Sequence, residues 1–552
     1  MHSPRAQFTP GIHATPISIV QSGQQALFPE LSGSFVPTNH TPLPFQSPHV
    51  SIFGLNTGDE GKGRSVLEIA SLLRYLTGDQ DCVGAVLKAN GGANSGHTAA
   101  GIKLNLIPSG VAEPSIAHLC LCRGVVADPC KLVWETKALE SVGYETLSRL
   151  RLDNRLMVSH VGHRLLDLAA EIRSPRGSTG RGISPSYSDE SIQGQIFYEA
   201  FLGDMAAFSA ALEKRLTSAT RRIQHEFMLS PEEWNGLFEK LSMAERRAHA
   251  ALIAKGVLSD SDFDFQRFRH PSQPFSLNMR RIVDCYWEAG TRLAAAITDV
   301  TQLSRELSEQ KKHLIYEHGQ GVLLDKRLGF TPSVTASHTT PAEVHHTNAV
   351  PITQSIYAVG VAKAYSTKVG VHLFLTQMEA EHPLAKILSK IEFGTTTGRG
   401  RMVGWYDAVE GGWALTHAGA HALIINKLDV LTLSGDWQGP LKICTHYVDP
   451  DGNRHFSLPT SDERRKQMTA CYEECAGWTE EIQNIRNFTE LPLAAQQYVA
   501  KLYQATIAAA QGGSIVEYEN LPKLHFVGVG PDPGQIICDL PSPQELLRLA
   551  KL

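Results

Sequence analysis

The sequence lacks several patterns that define large classes of protein. Its nine cysteines are scattered, without a Cys-x-x-Cys pair or a matched Cys/His quartet, which argues against a zinc site and predicts reduced thiols. The net charge of -5 provides no basic field, which argues against a protein built to bind nucleic acid. No run reaches the roughly 18 uninterrupted apolar residues of a membrane helix. We therefore expect a soluble, cytoplasmic protein.

Composition divides the chain into four parts. Residues 1–48 carry no charged region followed by an apolar run, so no secretory signal is expected, and their prolines predict an irregular arm. Strand and helix patterns alternate over 49–197 and 314–552, which predicts a mainly parallel central sheet flanked by helices. Between them, 198–313 is charged and helical, which predicts an inserted helical subdomain. With 42% hydrophobic residues, the chain can bury a large core.

Cap signals mark two of the predicted helices. Ser230, followed by proline and two acids, predicts a helix start, and Gly256 predicts its end. Ser542, followed by Pro543, predicts the start of a last helix.

A glycine-rich loop, Gly58–Gly63, follows the first predicted strand and precedes a helical pattern. Backbone amides and a helix N-terminus meet phosphate in such an arrangement, and Lys62 would add a positive charge. The loop differs from the pattern G-x-x-x-x-G-K-[ST], because Asn56 stands where the pattern has its first glycine and no Ser or Thr directly follows Lys62. Asp59 is then the natural magnesium ligand or base. The alternative is a charged surface turn.

A second glycine-rich loop, Asn90 to Thr98, follows the predicted strand 83–87. Open α/β sheets bind ligands in loops at the carboxyl ends of their parallel strands. His97 in this loop could donate or withdraw a proton near neutral pH. The alternative is a structural or merely exposed histidine.

A third motif, Asn426-Lys427-Leu428-Asp429, directly follows the predicted strand 422–425. An ionised carboxylate can accept two parallel N–H bonds, and guanine offers such a pair along one edge, whereas adenine does not. The motif therefore predicts a guanine-selecting loop.

A fourth motif, Thr395 to Arg401, combines three threonines with two arginines. Guanidinium groups suit carboxylates and phosphates, so the motif predicts an anionic substrate. The alternative is a solvated basic loop.

Together these four loops resemble one family, adenylosuccinate synthetase. They occur in the family's order, and other segments between roughly Ser51 and Ile537 also look familial: Ser178–Ile183, Glu317–Asp325, Val334–Thr335, Leu106–Val111, Gly404–Trp405 and Val527–Asp532. The resemblance implies a large, mainly parallel α/β fold related to P-loop proteins, and a homodimer. It also implies a magnesium-dependent ligase of purine nucleotide biosynthesis, which uses GTP to join L-aspartate to IMP and yields adenylosuccinate, GDP and phosphate.

The resemblance implies chemical roles for four residues. Asp59 would remove the proton from ring N1 of IMP, whose oxygen 6 then attacks the γ-phosphate of GTP to give a 6-phosphoryl intermediate. His97 would stabilise the charge on that oxygen and on the phosphoryl group, and Lys62 would lie among the phosphates. Aspartate's amine then displaces phosphate from carbon 6. Asp59 and the carbonyl of Gly96 would hold magnesium.

The resemblance also implies binding residues for each substrate. Those for GTP are Gly58, Glu60, Gly61, Lys62, Gly63, Lys427, Asp429, Gly528 and Gly530. Those for IMP are Asn94, Thr179, Gln320, Thr335 and Arg399. Those for aspartate are Thr396, Thr397, Arg399, Arg401 and Val369.

One stretch departs from the family. After Tyr187 the family normally has arginines, one of which reaches the IMP phosphate of the neighbouring subunit. Here Gln193 stands near that position, and no Lys or Arg follows Arg181 until Lys214. A glutamine cannot supply the missing charge. Two alternatives stay open: the same ligation on another 6-oxopurine or related acceptor, and a GTP-binding interaction protein without ligase activity.

Overall fold

The computed structural model describes residues 47–369, 372–392, 400–516, 520–532 and 534–552. The expected irregular arm, 1–48, lies outside the described residues except for its last two. The strands are β1 (His49–Gly54), β2 (Val83–Lys88), β3 (His97–Ala99), β4 (Ile102–Leu104), β5 (His118–Leu121), β6 (Val126–Ala127), β7 (Leu150–Asp153), β8 (Met157–Val158), β9 (Ile297–Thr298), β10 (His313–Glu317), β11 (Tyr357–Lys363), β12 (Ser366–Lys368), β13 (Met402–Gly404), β14 (Tyr406–Asp407), β15 (Ala422–Asn426), β16 (Leu441–Val448), β17 (Arg454–His455), β18 (Thr469–Cys475), β19 (Lys523–Gly528) and β20 (Ile536–Ile537).

The helices are α1 (Lys62–Thr77), α2 (Pro129–Glu140), α3 (Val161–Arg173), α4 (Ile183–Ser191), α5 (Met205–His225), α6 (Pro231–Ala254), α7 (Met279–Arg292), α8 (Val300–Glu309), α9 (Glu343–Thr347), α10 (Pro383–Ser389), α11 (Ala408–Ala418), α12 (Asp462–Arg465), α13 (Leu493–Ala510) and α14 (Pro543–Leu549). Short 3₁₀ turns lie at Ser109–Ala112, Tyr198–Leu202, Asp260–Phe263, Phe265–Phe268, Ala294–Ala296, Val322–Leu324, Asp429–Leu431 and Phe488–Glu490.

A ten-stranded sheet forms the centre of the molecule, in the order β20-β19-β15-β11-β1-β10-β2-β5-β7-β9. Every neighbouring pair is parallel except β19 with the edge strand β20. The strand β1 and its neighbour β11 are buried along their whole length, as expected for a parallel sheet covered on both faces. The expected mainly parallel α/β fold is confirmed.

The carboxyl ends of the central strands all meet one edge of this sheet. The glycine-rich loop follows β1, and the His97 loop follows β2. The predicted guanine-selecting motif, Asn426–Asp429, begins at the last residue of β15 and is called the guanine-type loop below; Gly530 follows β19. Parallel strands therefore bring together loops that are hundreds of residues apart in sequence.

The range 198–313 consists mainly of helices: α5 and α6 pack on α3, α7 packs on α2, and α8 packs on β7 and β10. The expected cap is present: the Ser230 hydroxyl accepts from the Glu233 amide at 3.2 Å, and the Glu233 carboxylate accepts from the Ser230 amide at 2.8 Å. Trp234 and Phe238 of α6 are fully buried in the same apolar cluster that contains Ile52 of β1. Strand β9 of this range pairs with β7 and so extends the central sheet.

Smaller sheets complete the fold. The strands β14, β16, β17 and β18 form a second sheet, in which β16 and β18 are antiparallel. The last helix begins at the expected capping residue, Ser542. Among the described residues, we find no helix that is both long and apolar enough to cross a membrane.

Candidate functional site

A cavity of ≈ 530 Å³ lies where the loops after β1, β2 and β10 meet, within the size range of small-molecule sites. Eleven of the described residues that were assigned roles from the sequence line it: Gly58, Asp59, Lys62, Asn94, Gly96, His97, Thr179, Gln320, Thr335, Val369 and Arg401. Thr396, Thr397 and Arg399 lie outside the described residues, so the rest of the expected aspartate loop stays a prediction.

Within the glycine-rich loop, Glu60 and Lys62 form a buried ion pair. The Lys62 Nζ donates to the Glu60 carboxylate at 2.6 Å, and the same carboxylate accepts from the Gly58 amide at 2.8 Å. Burial alone would raise the pKa of Glu60, but the Lys62 ammonium and these donors outweigh burial and lower it. Lys62 also donates to the Gln320 carbonyl. The Glu60 side chain therefore shapes the loop from inside, while Lys62 lines the cavity.

Two glycines of this loop have left-handed backbones. Gly58 has φ 98° and Gly61 has φ 96°. A Cβ on Gly61 would lie 2.7 Å from the Asn426 amide nitrogen, at the end of β15. Asn426 in turn donates to the Glu60 carbonyl at 2.8 Å. These contacts hold the glycine-rich loop against the guanine-type loop.

Asp59 lies on the cavity wall with a left-handed backbone of φ 60°. Its carboxylate forms an ion pair with the Arg401 guanidinium, which also donates to the Gly58 carbonyl at 3.3 Å. Arg401 is nearly buried, with 7% of its side chain exposed. Residues expected to act as base and as aspartate ligand thus contact each other directly.

His97, at the start of β3, is backed by a buried carboxylate. Its Nδ1 hydrogen-bonds the Glu317 carboxylate at the end of β10. Ser109 donates to the same carboxylate from its amide at 2.7 Å and from its hydroxyl at 2.8 Å. Burial alone would raise the pKa of Glu317, but His97, Lys88 and Ser109 outweigh it and lower the pKa to about 2. Glu317 is therefore ionised, fixes Nδ1 as the donor, and leaves Nε2 for the cavity.

Lys88, at the end of β2, is a buried cation that sequence reasoning did not single out. Its Nζ donates to the Ser95 carbonyl at 2.8 Å and to the Asn105 carbonyl at 2.7 Å. Burial lowers its pKa, whereas the Glu317 carboxylate opposes that shift. Lys88 fixes the loop that precedes His97, and no local pattern signalled this.

Of the residues expected to bind IMP, the four that the structure describes, Asn94, Thr179, Gln320 and Thr335, all line the cavity. The Gln320 side chain contacts the Asn94 carbonyl at 3.4 Å and accepts from Asn90 at 3.4 Å. The Thr335 hydroxyl oxygen is buried and has no hydrogen-bond partner among the described residues. It lines the cavity, so a polar group of a ligand could satisfy it.

The guanine-type loop lies beside this cavity rather than in its lining. The Leu428 amide donates to the Gly528 carbonyl at 3.0 Å, and Arg64 donates to the Gly530 carbonyl. Burial raises the pKa of Asp429, while Gln483, which donates to its carboxylate at 3.4 Å, opposes that shift. Lys427 pairs with Glu392. The ends of β15 and β19 are thus joined into one surface next to the glycine-rich loop.

The wall formed by residues 176–182 rests on carboxylates that sequence reasoning missed. Glu171 accepts from the amides of Arg176 at 2.9 Å and Gly177 at 2.8 Å. Asp167 accepts from the Ser178 hydroxyl at 2.6 Å and the Gly182 amide at 2.9 Å.

Arg181 of this wall bonds a carboxylate from the helical range. Its guanidinium donates to Glu245 of α6, which also accepts from Arg164 at 2.8 Å and faces Lys131 at 3.5 Å. Burial alone would raise the pKa of Glu245, but Lys131, Arg181 and Arg164 lower it far more. One carboxylate from α6 therefore neutralises cations from three other parts of the chain.

Gln193, which stands near the position of the family arginine, follows the end of α4. It is exposed, has φ 55°, and does not line the cavity. Asp189 of α4, four residues before Gln193, accepts a hydrogen bond from the His163 imidazole at 3.0 Å. In this chain the segment therefore contributes no cation to the described cavity.

The cavity fits a magnesium ion by ligand type. The Asp59 carboxylate and the backbone of Gly96 both line it, and hard oxygen ligands suit Mg²⁺, which usually binds one or two carboxylates together with phosphates and water.

Comparisons with known proteins agree with this geometry. Residues 51–514 match the family model described as adenylosuccinate synthetase. An adenylosuccinate synthetase of Pelotomaculum thermopropionicum is 32% identical over 467 residues, which is 83% of this chain and 94% of that protein. An adenylosuccinate synthetase of Leifsonia xyli is 28% identical over 514 residues, which is 91% of this chain and 100% of that protein. A structure of fully ligated adenylosuccinate synthetase from Plasmodium falciparum matches with a TM-score of 0.70 at 23% identity, over 89% and 99% of the two chains.

Proposed function

The chain belongs to the adenylosuccinate synthetase family of GTP-dependent C–N ligases, and on that basis we propose that it joins L-aspartate to carbon 6 of IMP. The products would be adenylosuccinate, GDP and phosphate, in purine nucleotide biosynthesis. One observation carries the proposal: Asp59 and His97, on loops after different strands, line the same cavity.

The geometry supports a division of labour between these two residues. Asp59 would take the proton from N1 of IMP, so that oxygen 6 can attack the γ-phosphate of GTP. His97, held by Glu317, would direct Nε2 to that oxygen as charge develops on it. Aspartate's amine would then replace the phosphorylated oxygen at carbon 6, and phosphate would leave.

The remaining groups would bind and orient the substrates. Lys62 would face the phosphates of GTP, and Arg401 would exchange the Asp59 carboxylate for a carboxylate of aspartate. A magnesium ion held by Asp59 and Gly96 would neutralise charge on the phosphates. A homodimer in the cytoplasm is part of this proposal because the family resemblance implies it.

The proposal is tested by turnover of the purified protein with Mg²⁺, GTP, aspartate and IMP. We expect adenylosuccinate, GDP and phosphate in equal amounts, and no GDP beyond one equivalent per site when aspartate is omitted. GTP hydrolysis without adenylosuccinate, under any ratio of substrates, would rule the proposal out.

A second candidate is the same ligation on another 6-oxopurine. The observation that favours it is the absence of Lys and Arg between Arg181 and Lys214, with Gln193 exposed outside the cavity. A screen of 6-oxopurine nucleotides and nucleosides as acceptors separates the two candidates. A value of kcat/KM for IMP well above every other acceptor would eliminate the second.

The guanine-type loop provides a prediction for the phosphate donor. We expect Asp429→Asn to raise the KM for GTP by about 100-fold, because the amide presents a donor to a guanine N–H. Xanthosine triphosphate, which carries an oxygen at that edge, should become the better donor. Steady-state kinetics with both nucleotides measure the switch. Asp436→Asn, at an exposed carboxylate on the following turn, is the matched control and should leave both KM values unchanged.

A further inference from the structure

Among the described residues, three cationic side chains of Lys or Arg line the cavity: Lys62, Arg176 and Arg401. Two of them already pair with carboxylates, Lys62 with Glu60 and Arg401 with Asp59. No described residue accepts a hydrogen bond from the Arg176 guanidinium or forms an ion pair with it. Arg176 is therefore the lining cation whose charge is available to an anionic ligand.

The loop that carries Arg176 is held in place by carboxylates beneath it. Glu171 accepts from the amides of Arg176, Gly177 and Ser178, at distances of 2.9, 2.8 and 3.3 Å. Since these three amides are engaged, Arg176 would bind an anion through its side chain rather than through its own amide. The same bonds fix the backbone from which Arg176 extends, which reduces the entropy lost on binding.

Hydroxyl groups line the same cavity as this cation. Thr179 and Ser184 line the cavity on the same stretch of chain, and Thr335 presents its buried, unpartnered hydroxyl from another loop. A guanidinium with several hydroxyls suits a phosphate monoester, which carries up to two charges and several acceptor oxygens.

We propose that Arg176 binds the 5′-phosphate of the acceptor nucleotide within the same chain. This inference rests on the proposed function, because it names the group of the acceptor that this wall would hold. It replaces the charge that the family resemblance expects from a neighbouring subunit, which Gln193 cannot supply. The acceptor is then a nucleoside monophosphate rather than a nucleoside, and the phosphate site is complete in one subunit.

The first test compares affinity for IMP and for inosine by calorimetry, in the wild type and in Arg176→Ala. We expect the variant to weaken IMP binding by about 30-fold or more and to leave inosine binding unchanged, since only IMP carries the phosphate. Arg176→Lys should restore part of the affinity. Arg280→Ala removes an arginine of α7 whose side chain is 92% exposed, and serves as the control.

Kinetics then separate this site from that of aspartate. The KM for IMP should rise in Arg176→Ala, while the KM values for GTP and aspartate stay within about twofold. If the KM for aspartate rises instead, or if IMP affinity is unchanged, Arg176 does not bind this phosphate and the inference is overturned. Equal affinity of the wild type for IMP and inosine would also overturn it.

Mixing two impaired variants, at an IMP concentration well below the raised KM of Arg176→Ala, tests whether Arg176 acts within its own subunit. Arg176→Ala and Asp59→Asn, mixed and allowed to exchange subunits, should not recover activity, because each site lacks one group. Recovery toward a quarter of wild-type activity would mean that Arg176 acts across an interface. Binding that depends on Arg176 in a protein without ligase activity would retain this site and reject the proposed function, so the two failures are distinguishable.

Discussion

Asp59→Asn is expected to lower kcat by about 10³-fold, because the amide cannot accept the N1 proton although it has nearly the same shape as the carboxylate. The residue lies on the cavity wall, and 20% of its side chain is exposed. Affinity for IMP should change little, because the variant keeps the shape of the side chain, whereas GTP should bind more weakly in so far as Asp59 holds the magnesium ion. Rapid-quench measurement of the first turnover shows whether the phosphoryl-transfer step is the one that slows.

A lower kcat of Asp59→Asn could also result from loss of the ion pair between Asp59 and Arg401. Thermal unfolding of Asp59→Asn with and without aspartate addresses it, because a purely structural defect lowers the melting temperature in both conditions. Asp81→Asn, at an exposed carboxylate distant in sequence from the loop, is the matched control. An Asp59→Asn protein with kcat within tenfold of the wild type would exclude Asp59 as the base.

His97→Ala is expected to lower kcat by about 10²- to 10³-fold, with little change in the KM for GTP. An imidazole that donates to the developing oxyanion stabilises mainly the transition state. Its removal should therefore lower kcat rather than raise KM. Imidazole added to the assay should occupy the space left by the ring and restore part of the rate. A variant in which only KM rises would assign His97 to ground-state binding.

Glu317→Gln tests how His97 is held. The amide can still occupy the same space, but it removes the charge that opposes the effect of burial on the pKa of His97. Burial and the neighbouring Lys88 and Lys62 ammonium groups already lower that pKa, so it should fall further in the variant. Any limb of the kcat–pH profile that belongs to His97 should therefore move to lower pH. A lower rate with an unmoved profile would indicate a structural role alone.

Local patterns in the sequence were sufficient for the parts of the fold that depend on neighbouring residues. The strand before the glycine-rich loop, the helix after it and the cap at Ser230 each follow from side chains within a few positions of one another. The predicted strand 422–425 is observed as Ala422–Asn426 for the same reason. The meeting of the loops at one edge could also be predicted, because it follows from the parallel sheet.

Contacts between distant residues could not be predicted in this way. Glu317 holds His97 from 220 positions away, and Arg401 reaches Asp59 across the cavity. Each is an ordinary charged residue in its own segment, and only the fold selects its partner. The antiparallel pairing of β16 with β18 was likewise absent from the expectations, because the alternation of strands and helices predicted only a mainly parallel central sheet.

The burial of Glu245 limits how the helical range can be shortened, in evolution or by engineering. A version shortened between α5 and α7 would leave Arg164, Arg181 and Lys131 without the carboxylate that pairs with all three, and breaking a buried pair costs about 3–5 kcal/mol. The helices from 205 to 292 are therefore not a detachable module. Their gain or loss in evolution, or in engineering, has to be accompanied by exchange of those three cations.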